Sequence, residues 1–197
     1  MSSERLVLAS TSPQRRAILE QLRIPFEVVP PTYVEHDPPD LEPTELVRTH
    51  AEGKARSVHE EARLTLGVDT AVALDGRIYG KPEDVEDAGR MLHTLSGRAH
   101  SVVSGLCLLG PQFDVLAHEI TSVTFRPLTA KIVTTYLASG EWEGRAGAYA
   151  IQGLGGRLVE RIEGDYLNVV GLPGALLLSL LELHAPDLLD PLNKPIH

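Results

Sequence analysis

The sequence predicts an α/β fold, and three observations predict it. Short apolar runs of strand character alternate with amphipathic runs of helical period. Turn signals such as Asp75-Gly76 and Gly110-Pro111 separate neighbouring strand-like runs, which implies antiparallel pairing. With 197 residues, 43% hydrophobic and 23% charged, the chain can bury a sizeable core as one domain with room for two lobes.

Each element has its own signals. Leu6 to Ala9 reads as a strand entering a helix over Pro13 to Leu22. Ser12 is the N-cap, Pro13 suits the first helical position, and Ile18, Leu19 and Leu22 share a face. Phe26 to Val29 reads as a second strand, and Pro30 to Pro43, with Pro38-Pro39-Asp40, as an irregular acidic loop. Thr44 is the expected cap of a long helix reaching about Arg63, with Leu46, Val47 and Ala51 facing inward. Leu66 to Leu74 and Arg77 to Tyr79 form a hairpin, and Asp84 to Leu95 a helix ended by Ser96-Gly97. Ala99 to Leu109 and Val115 to Phe125 read as long antiparallel neighbours, and Thr129 to Ser139 as an amphipathic helix stopped by Gly140. A glycine-rich loop over 144–156 leads to a strand from Arg157 to Ile162. Pro173 opens a last helix, apolar nearly all round and so expected to be buried; the tail from Pro186 is expected to fray.

Composition excludes several classes. A net charge of -9 argues against a nucleic-acid-coating protein, which needs a basic face, although a few convergent cations or a bridging divalent metal can still hold a small polyanion. A single cysteine, Cys107, permits neither an internal disulfide nor a cysteine metal site and fits a reducing cytoplasm. Glu4 and Arg5 with few apolar residues after them do not make a secretion signal. The longest apolar run, Ala175 to Leu183, is far short of the ~20 residues that span a bilayer.

The chemistry-bearing residues are scattered, each at a strand end or in a glycine-flanked turn. Arg15 and Arg16 occupy the positive end of the first helix, an unfavourable placement that a docked phosphate relieves; the alternative is a solvated face with Arg16 beside Glu20. Asp69 interrupts the apolar run Leu66 to Val72, so it is either paired or metal-bound, or it faces solvent. Lys81, between Gly80 and Pro82, is positioned to reach a phosphate or is a surface lysine; Lys54, with Gly53 opening space beside it, has the same two readings. Glu35 and Asp37 are oxygen ligands suited to magnesium or manganese, or ordinary loop acids. Gln152 can read a nucleobase edge or brace its loop, and His100 and His118 read as strand histidines. Gly80-Lys81-Pro82 lacks the Walker spacing, and Gly153-Leu154-Gly155-Gly156 is not a dinucleotide fingerprint.

Taken in order, these residues resemble the Maf family of nucleoside triphosphate pyrophosphatases. The matching blocks begin with Leu8 to Arg16, Phe26-Glu27-Val28 through Glu35, Lys54-Ala55, Val68-Asp69-Thr70 and Gly80-Lys81-Pro82. They continue through Leu95-Ser96-Gly97, Ala146 to Tyr149, Ile151-Gln152-Gly153 and Asn168 to Pro173, so the resemblance spans about residues 6 to 183. It implies a mixed central sheet flanked by helices, with two lobes around a cleft, similar to the inosine-triphosphate pyrophosphatases. It implies hydrolysis of a nucleoside triphosphate to the monophosphate and pyrophosphate with Mg²⁺ or Mn²⁺, in nucleotide-pool housekeeping. Asp69 would be the proton acceptor and a metal ligand with Glu35, while Ser10, Arg15, Arg16, Lys54 and Lys81 would line the phosphate site. Thr70 and Gln152 match the subgroup acting on dTTP and UTP, whereas Gln14 stands where that subgroup has an arginine. Val34 and Gly53 also depart from the family pattern, replacing a usual aspartate and a frequent glutamate. A cytoplasmic homodimer is the family expectation, and a nucleotide-binding regulator of cell division with little turnover is the competing reading.

Overall fold

One mixed sheet organises the computed structural model, which describes residues 5–38 and 41–189; Glu4, Pro39, Asp40 and the tail after residue 189 lie outside them. The strands are β1 (Leu6–Ala9), β2 (Phe26–Val28), β3 (Thr65–Leu74), β4 (Arg77–Tyr79), β5 (Ala99–Gly110), β6 (Phe113–Phe125) and β7 (Val159–Glu163). Their spatial order is β2-β1-β3-β5-β6-β7, with β4 also paired to β3. β1 runs parallel to β2 and β3, and the other pairings are antiparallel. The helices are α1 (Pro13–Gln21), α2 (Pro43–Arg56), α3 (Val85–Leu95), α4 (Ala130–Leu137), α5 (Tyr166–Val170) and α6 (Gly174–His184).

Strand β3 sets where the cleft lies. Its partner β5 runs along nearly its whole length, from Thr65 to Ala73. The remaining pairings are divided: β1 covers Thr65 to Gly67 and β4 covers Val72 to Leu74. Residues 68–71 are paired to neither, so the sheet splits there. Of the ten residues of β3, only Asp69 and Thr70 are not buried.

Helix α2 closes one face of the sheet by unusually close approach. A Cβ on Gly67 would overlap the carbonyl of Ala51, and one on Gly105 would overlap the carbonyl of Val47. Gly105 pairs with Asp69 across β5 and β3, so the helix backbone rests directly on the strands that carry the split. The apolar side chains form two main clusters. One gathers α1, α6 and the β1 end of the sheet, and the other gathers α3, α4 and the far ends of β5 and β6.

Several boundaries differ from the sequence expectation, each for a local reason. Helix α2 is capped by Glu42 with Pro43 in its first turn, so Thr44 is already helical. It ends at Arg56 rather than near Arg63, because the Ser57 hydroxyl donates to the Lys54 carbonyl and the chain must turn back to meet β1. The β5–β6 connection is Pro111-Gln112, with Gly110 already paired to Phe113. Helix α5 was not expected; buried Asn168 ties it to the Val102 carbonyl and the Thr121 hydroxyl. Helix α6 is not buried all round: Leu177 and Leu181 are buried, but Leu183 is 72% exposed, since the helix covers the sheet with one stripe only. The tail does not fray at Pro186. Residues Pro186–Leu189 form a 3-10 turn with Leu188 seated in the core, and the rest of the expected tail lies outside the described residues.

Candidate functional site

A cleft of about 790 Å³ opens at the split in β3. Its floor is Asp69 and Thr70, and both flanking strands deliver residues to it. Strand β1 ends into Ser10, Ser12 and the first turn of α1, while β4 ends into Gly80 and Lys81. These two sources approach from opposite sides of the gap, because β1 and β4 occupy successive stretches of β3 with residues 68–71 left between them.

The centre of the site is an ammonium held by two carboxylates. Lys54 Nζ lies 2.6 Å from Asp69 Oδ1 and 2.6 Å from Glu35 Oε1. Lys54 is almost buried, its aliphatic stem covered where α2 rests on the sheet. Burial opposes ionisation of Glu35, but the hydrogen bond and charge of Lys54, with the charges of His50 and Lys81, outweigh it and leave the pKa lowered. Glu35 is carried by the acidic loop, which is pinned at two further points. Tyr33 packs its ring in the space left by Gly53 and bonds to His50 Nδ1 at 3.1 Å. Asp37, weighed from sequence as a metal ligand, instead meets His50 Nε2 at 2.8 Å.

Arg15 is braced by the protein itself. Its Nε donates to the Gly171 carbonyl at 2.9 Å, Nη1 to Ser10 Oγ at 3.2 Å and Nη2 to Thr70 Oγ1 at 3.4 Å. Desolvation lowers its pKa, and the nearby charges of Asp69 and Glu35 oppose this only in part. The Thr70 hydroxyl also meets Ser104 Oγ at 2.8 Å and donates to the Gly171 carbonyl at 3.3 Å, so it serves as a strut between β3, β5 and α5. Ser12 caps α1 by accepting the Arg15 N–H, as its place in the sequence suggests.

The remaining expected residues divide. Lys81 lines the cleft, is exposed, and has no ion pair within 4.0 Å among the described residues. Gln14 lines the cleft and also a smaller hollow of about 270 Å³ behind α1, where Gln152, Tyr166, Leu167 and Val170 form the walls. Gln152 therefore stands away from the cation-lined cleft. Arg16 is exposed and lines neither hollow, because one residue's rotation along α1 turns it away from the side that Arg15 takes. Sequence reasoning missed Arg145, which lines the cleft from the glycine-rich loop; its signal was the one that marked Lys81, a cation in a glycine-flanked turn. His100 is buried against Phe125 and Tyr149, and burial pushes its pKa down to about 4. His118 is exposed on β6.

Glu35 and Asp69, which meet at Lys54 Nζ, are the carboxylates that could hold a metal ion. Among the described residues no group of three or more His, Cys, Asp and Glu converges to hold an ion unaided. Two carboxylates meeting at one point, as Glu35 and Asp69 do, are what Mg²⁺ uses when phosphates and waters complete its shell.

The Maf-like protein family model matches residues 5–184. The chain belongs to the Maf family. Maf relatives at high identity include a dTTP/UTP pyrophosphatase of Gloeobacter violaceus, 47% identical over 179 residues, covering 90% of this chain and 94% of that protein. Others named dTTP/UTP pyrophosphatase come from Nitratidesulfovibrio vulgaris, 47% identical over 89% of this chain and 86% of that protein, and from Pyrococcus furiosus, 42% identical over 91% and 95%. Among solved structures, the Staphylococcus aureus Ham1 protein gives a TM-score of 0.44 at 15% identity, covering 62% of this chain and 72% of that one. Like the mixed sheet flanked by helices, the cleft in this Maf chain follows from the strand register described above. No helix among the described residues is long and apolar enough to cross a membrane.

Proposed function

We propose that the chain hydrolyses nucleoside triphosphates to the monophosphate and pyrophosphate, with dTTP, UTP or modified pyrimidine nucleotides as substrates, in nucleotide-pool housekeeping. The observation that carries this reading is the convergence on one cleft of Asp69, Lys54, Glu35, Arg15 and Lys81, drawn from five separate segments. A cleft of about 790 Å³ is large enough for a nucleotide. The 42–47% identity to proteins named dTTP/UTP pyrophosphatase supports the substrate class.

In this mechanism water attacks the α-phosphorus in line, the bond to the β-phosphate oxygen breaks, and the water's proton passes to the Asp69 carboxylate. Lys54 orients that carboxylate by its 2.6 Å hydrogen bond. Arg15, fixed on three sides, presents its remaining N–H groups to phosphate oxygens, and Lys81 adds a mobile point charge. Glu35 and Asp69 would hold Mg²⁺ or Mn²⁺, which when bound neutralises phosphate charge. The base would occupy the hollow behind α1, with the Gln14 and Gln152 amides at its edge and Tyr166 against its face. Thr70, on the floor of the cleft, braces Arg15.

The test is pyrophosphate release from dTTP, UTP, CTP and methylated nucleotides, with Mg²⁺, Mn²⁺ or chelator. Metal-dependent release of pyrophosphate supports the reading. Nucleotide binding with no release from any triphosphate would overturn it in favour of a nucleotide-binding regulator.

A further inference from the structure

We propose that Arg145 grips the pyrophosphate half of the substrate, working with Lys81 across the cleft from Arg15; this rests on the triphosphate reading above. The cations of the cleft differ in whether they are free to meet an anion. Arg15 has three N–H groups committed to Gly171, Ser10 and Thr70. Lys54 is shared between Glu35 and Asp69. Lys81 and Arg145 line the same cleft, and neither has a side-chain hydrogen bond or an ion pair among the described residues.

Arg145 is more than a loose surface cation. Its Nε is buried and lacks a hydrogen-bond partner among the described residues, an arrangement that costs free energy and that a turn of the guanidinium toward an anion in the cleft would relieve. The backbone around it is fixed. The Arg145 N–H donates to the Trp142 carbonyl at 3.2 Å, the Ala148 N–H to the Arg145 carbonyl at 3.0 Å, and the Gly147 N–H to the Gly80 carbonyl at 3.1 Å. That last bond fastens the Arg145 loop to the residue preceding Lys81, so the two cations belong to one wall. Gly147 is left-handed with φ 66° and stands against Val72, where a side chain would be both strained and crowded.

The two walls differ in kind, and this orders the substrate along the cleft. The β1–α1 wall carries Gln14 and opens into the hollow with Gln152 and Tyr166, which suits a base. The β4 wall carries the uncommitted cations, which suits the end of the substrate with the most charge. When the bond between the α and β phosphates breaks, negative charge gathers on the departing pyrophosphate. A planar guanidinium with no partner of its own can meet two of its oxygens at once, which a lysine cannot.

The experiment titrates inorganic pyrophosphate, and separately a nucleoside monophosphate, into wild type, Arg145→Ala, Arg145→Gln and Arg145→Lys in Mg²⁺ buffer by calorimetry. Steady-state kinetics and melting curves accompany it. Arg145→Ala and Arg145→Gln are expected to weaken pyrophosphate binding about tenfold to hundredfold. Monophosphate affinity is expected to stay within about twofold, and Arg145→Lys to fall between wild type and Arg145→Ala, since it keeps the charge and loses the fork. Melting temperatures should not fall, because no side-chain bond is removed; should Arg145→Ala fail to fold, the Gln and Lys variants carry the comparison. Wild-type pyrophosphate affinity in Arg145→Gln, or an equal loss for both products, overturns the assignment. Failure of the parent reading is separate: it appears as no pyrophosphate release by wild type from any triphosphate.

Discussion

Replacing Lys54 by methionine removes the charge between two acids while keeping most of the buried stem. The facing oxygens of Glu35 and Asp69 each lie 2.6 Å from one nitrogen, so they are at most about 5 Å apart. At an effective dielectric constant of ~20 their repulsion is about 3 kcal/mol, and solvent at the 48% exposed Glu35 side chain screens it to roughly 1–2 kcal/mol. Lys54→Met is therefore expected to lower the unfolding free energy by about 1–2 kcal/mol near pH 8. In the wild type the pKa of Glu35 is lowered, so its stabilising contribution is fully present above the ordinary carboxylate range and is lost as pH falls from that range through the lowered value. In the variant the repulsion exists only while both acids are ionised. Both effects make the deficit shrink on acidification toward pH 4. Urea midpoints at pH 8, 6 and 4.5 measure it. Equal stability of the two proteins at pH 8, or a deficit that grows as pH falls, would refute the idea that Lys54 holds a charged pair together.

Three further outcomes are expected. Asp69→Asn keeps the fold but loses at least ~10²-fold in pyrophosphate release, and near-wild-type turnover by the folded variant removes Asp69 from the chemistry. Gly105→Ala places a methyl group against the Val47 carbonyl and should cost about 1–3 kcal/mol in denaturant unfolding, together with kcat/KM, because the helix carrying Lys54 must lift; unchanged stability would contradict the close seating. His100, its pKa pushed down to about 4, must stay neutral in the fold, so stability present above pH ~6.5 declines by about 3 kcal/mol as pH falls through 4. In His100→Phe that part of the acid loss should vanish from the melting curves, and an unaltered pH profile would count against it.

What the sequence revealed, and what it hid, divides by distance along the chain. Ser12, Pro13 and the hairpin at Asp75-Gly76 act through neighbours, and the structure has them as read. Asp69 was legible as an acid out of place in an apolar strand, and it is one of the two unburied residues of β3. The space read beside Lys54 at Gly53 is real, but its occupant, the Tyr33 ring, comes from a loop with no periodic signal. The bracing of Arg15 was invisible because its acceptor, the Gly171 carbonyl, is 156 positions away and stands at the end of an unforeseen five-residue helix. Arg16 looked equivalent to Arg15 in the sequence, yet only Arg15 lines the cleft. The end of α2 was misplaced because helical propensity continues past Arg56, whereas the parallel pairing of β1 with β3 requires the chain to turn back there.

Cys107 lies in the C-terminal third of β5, 1% exposed beneath Ala51 and Ala55, with its thiol pKa pushed up to about 12 by burial. Thiolate chemistry is thereby suppressed twice, by access and by protonation. A thiol-labelling reagent can reach this sulfur only when α2 parts from the strands beneath it, so the rate of modification becomes a clock for opening of that layer. The same helix carries Lys54. Nucleotide bound at the cleft should slow the clock, giving an occupancy signal from the native chain that needs no turnover and no attached dye.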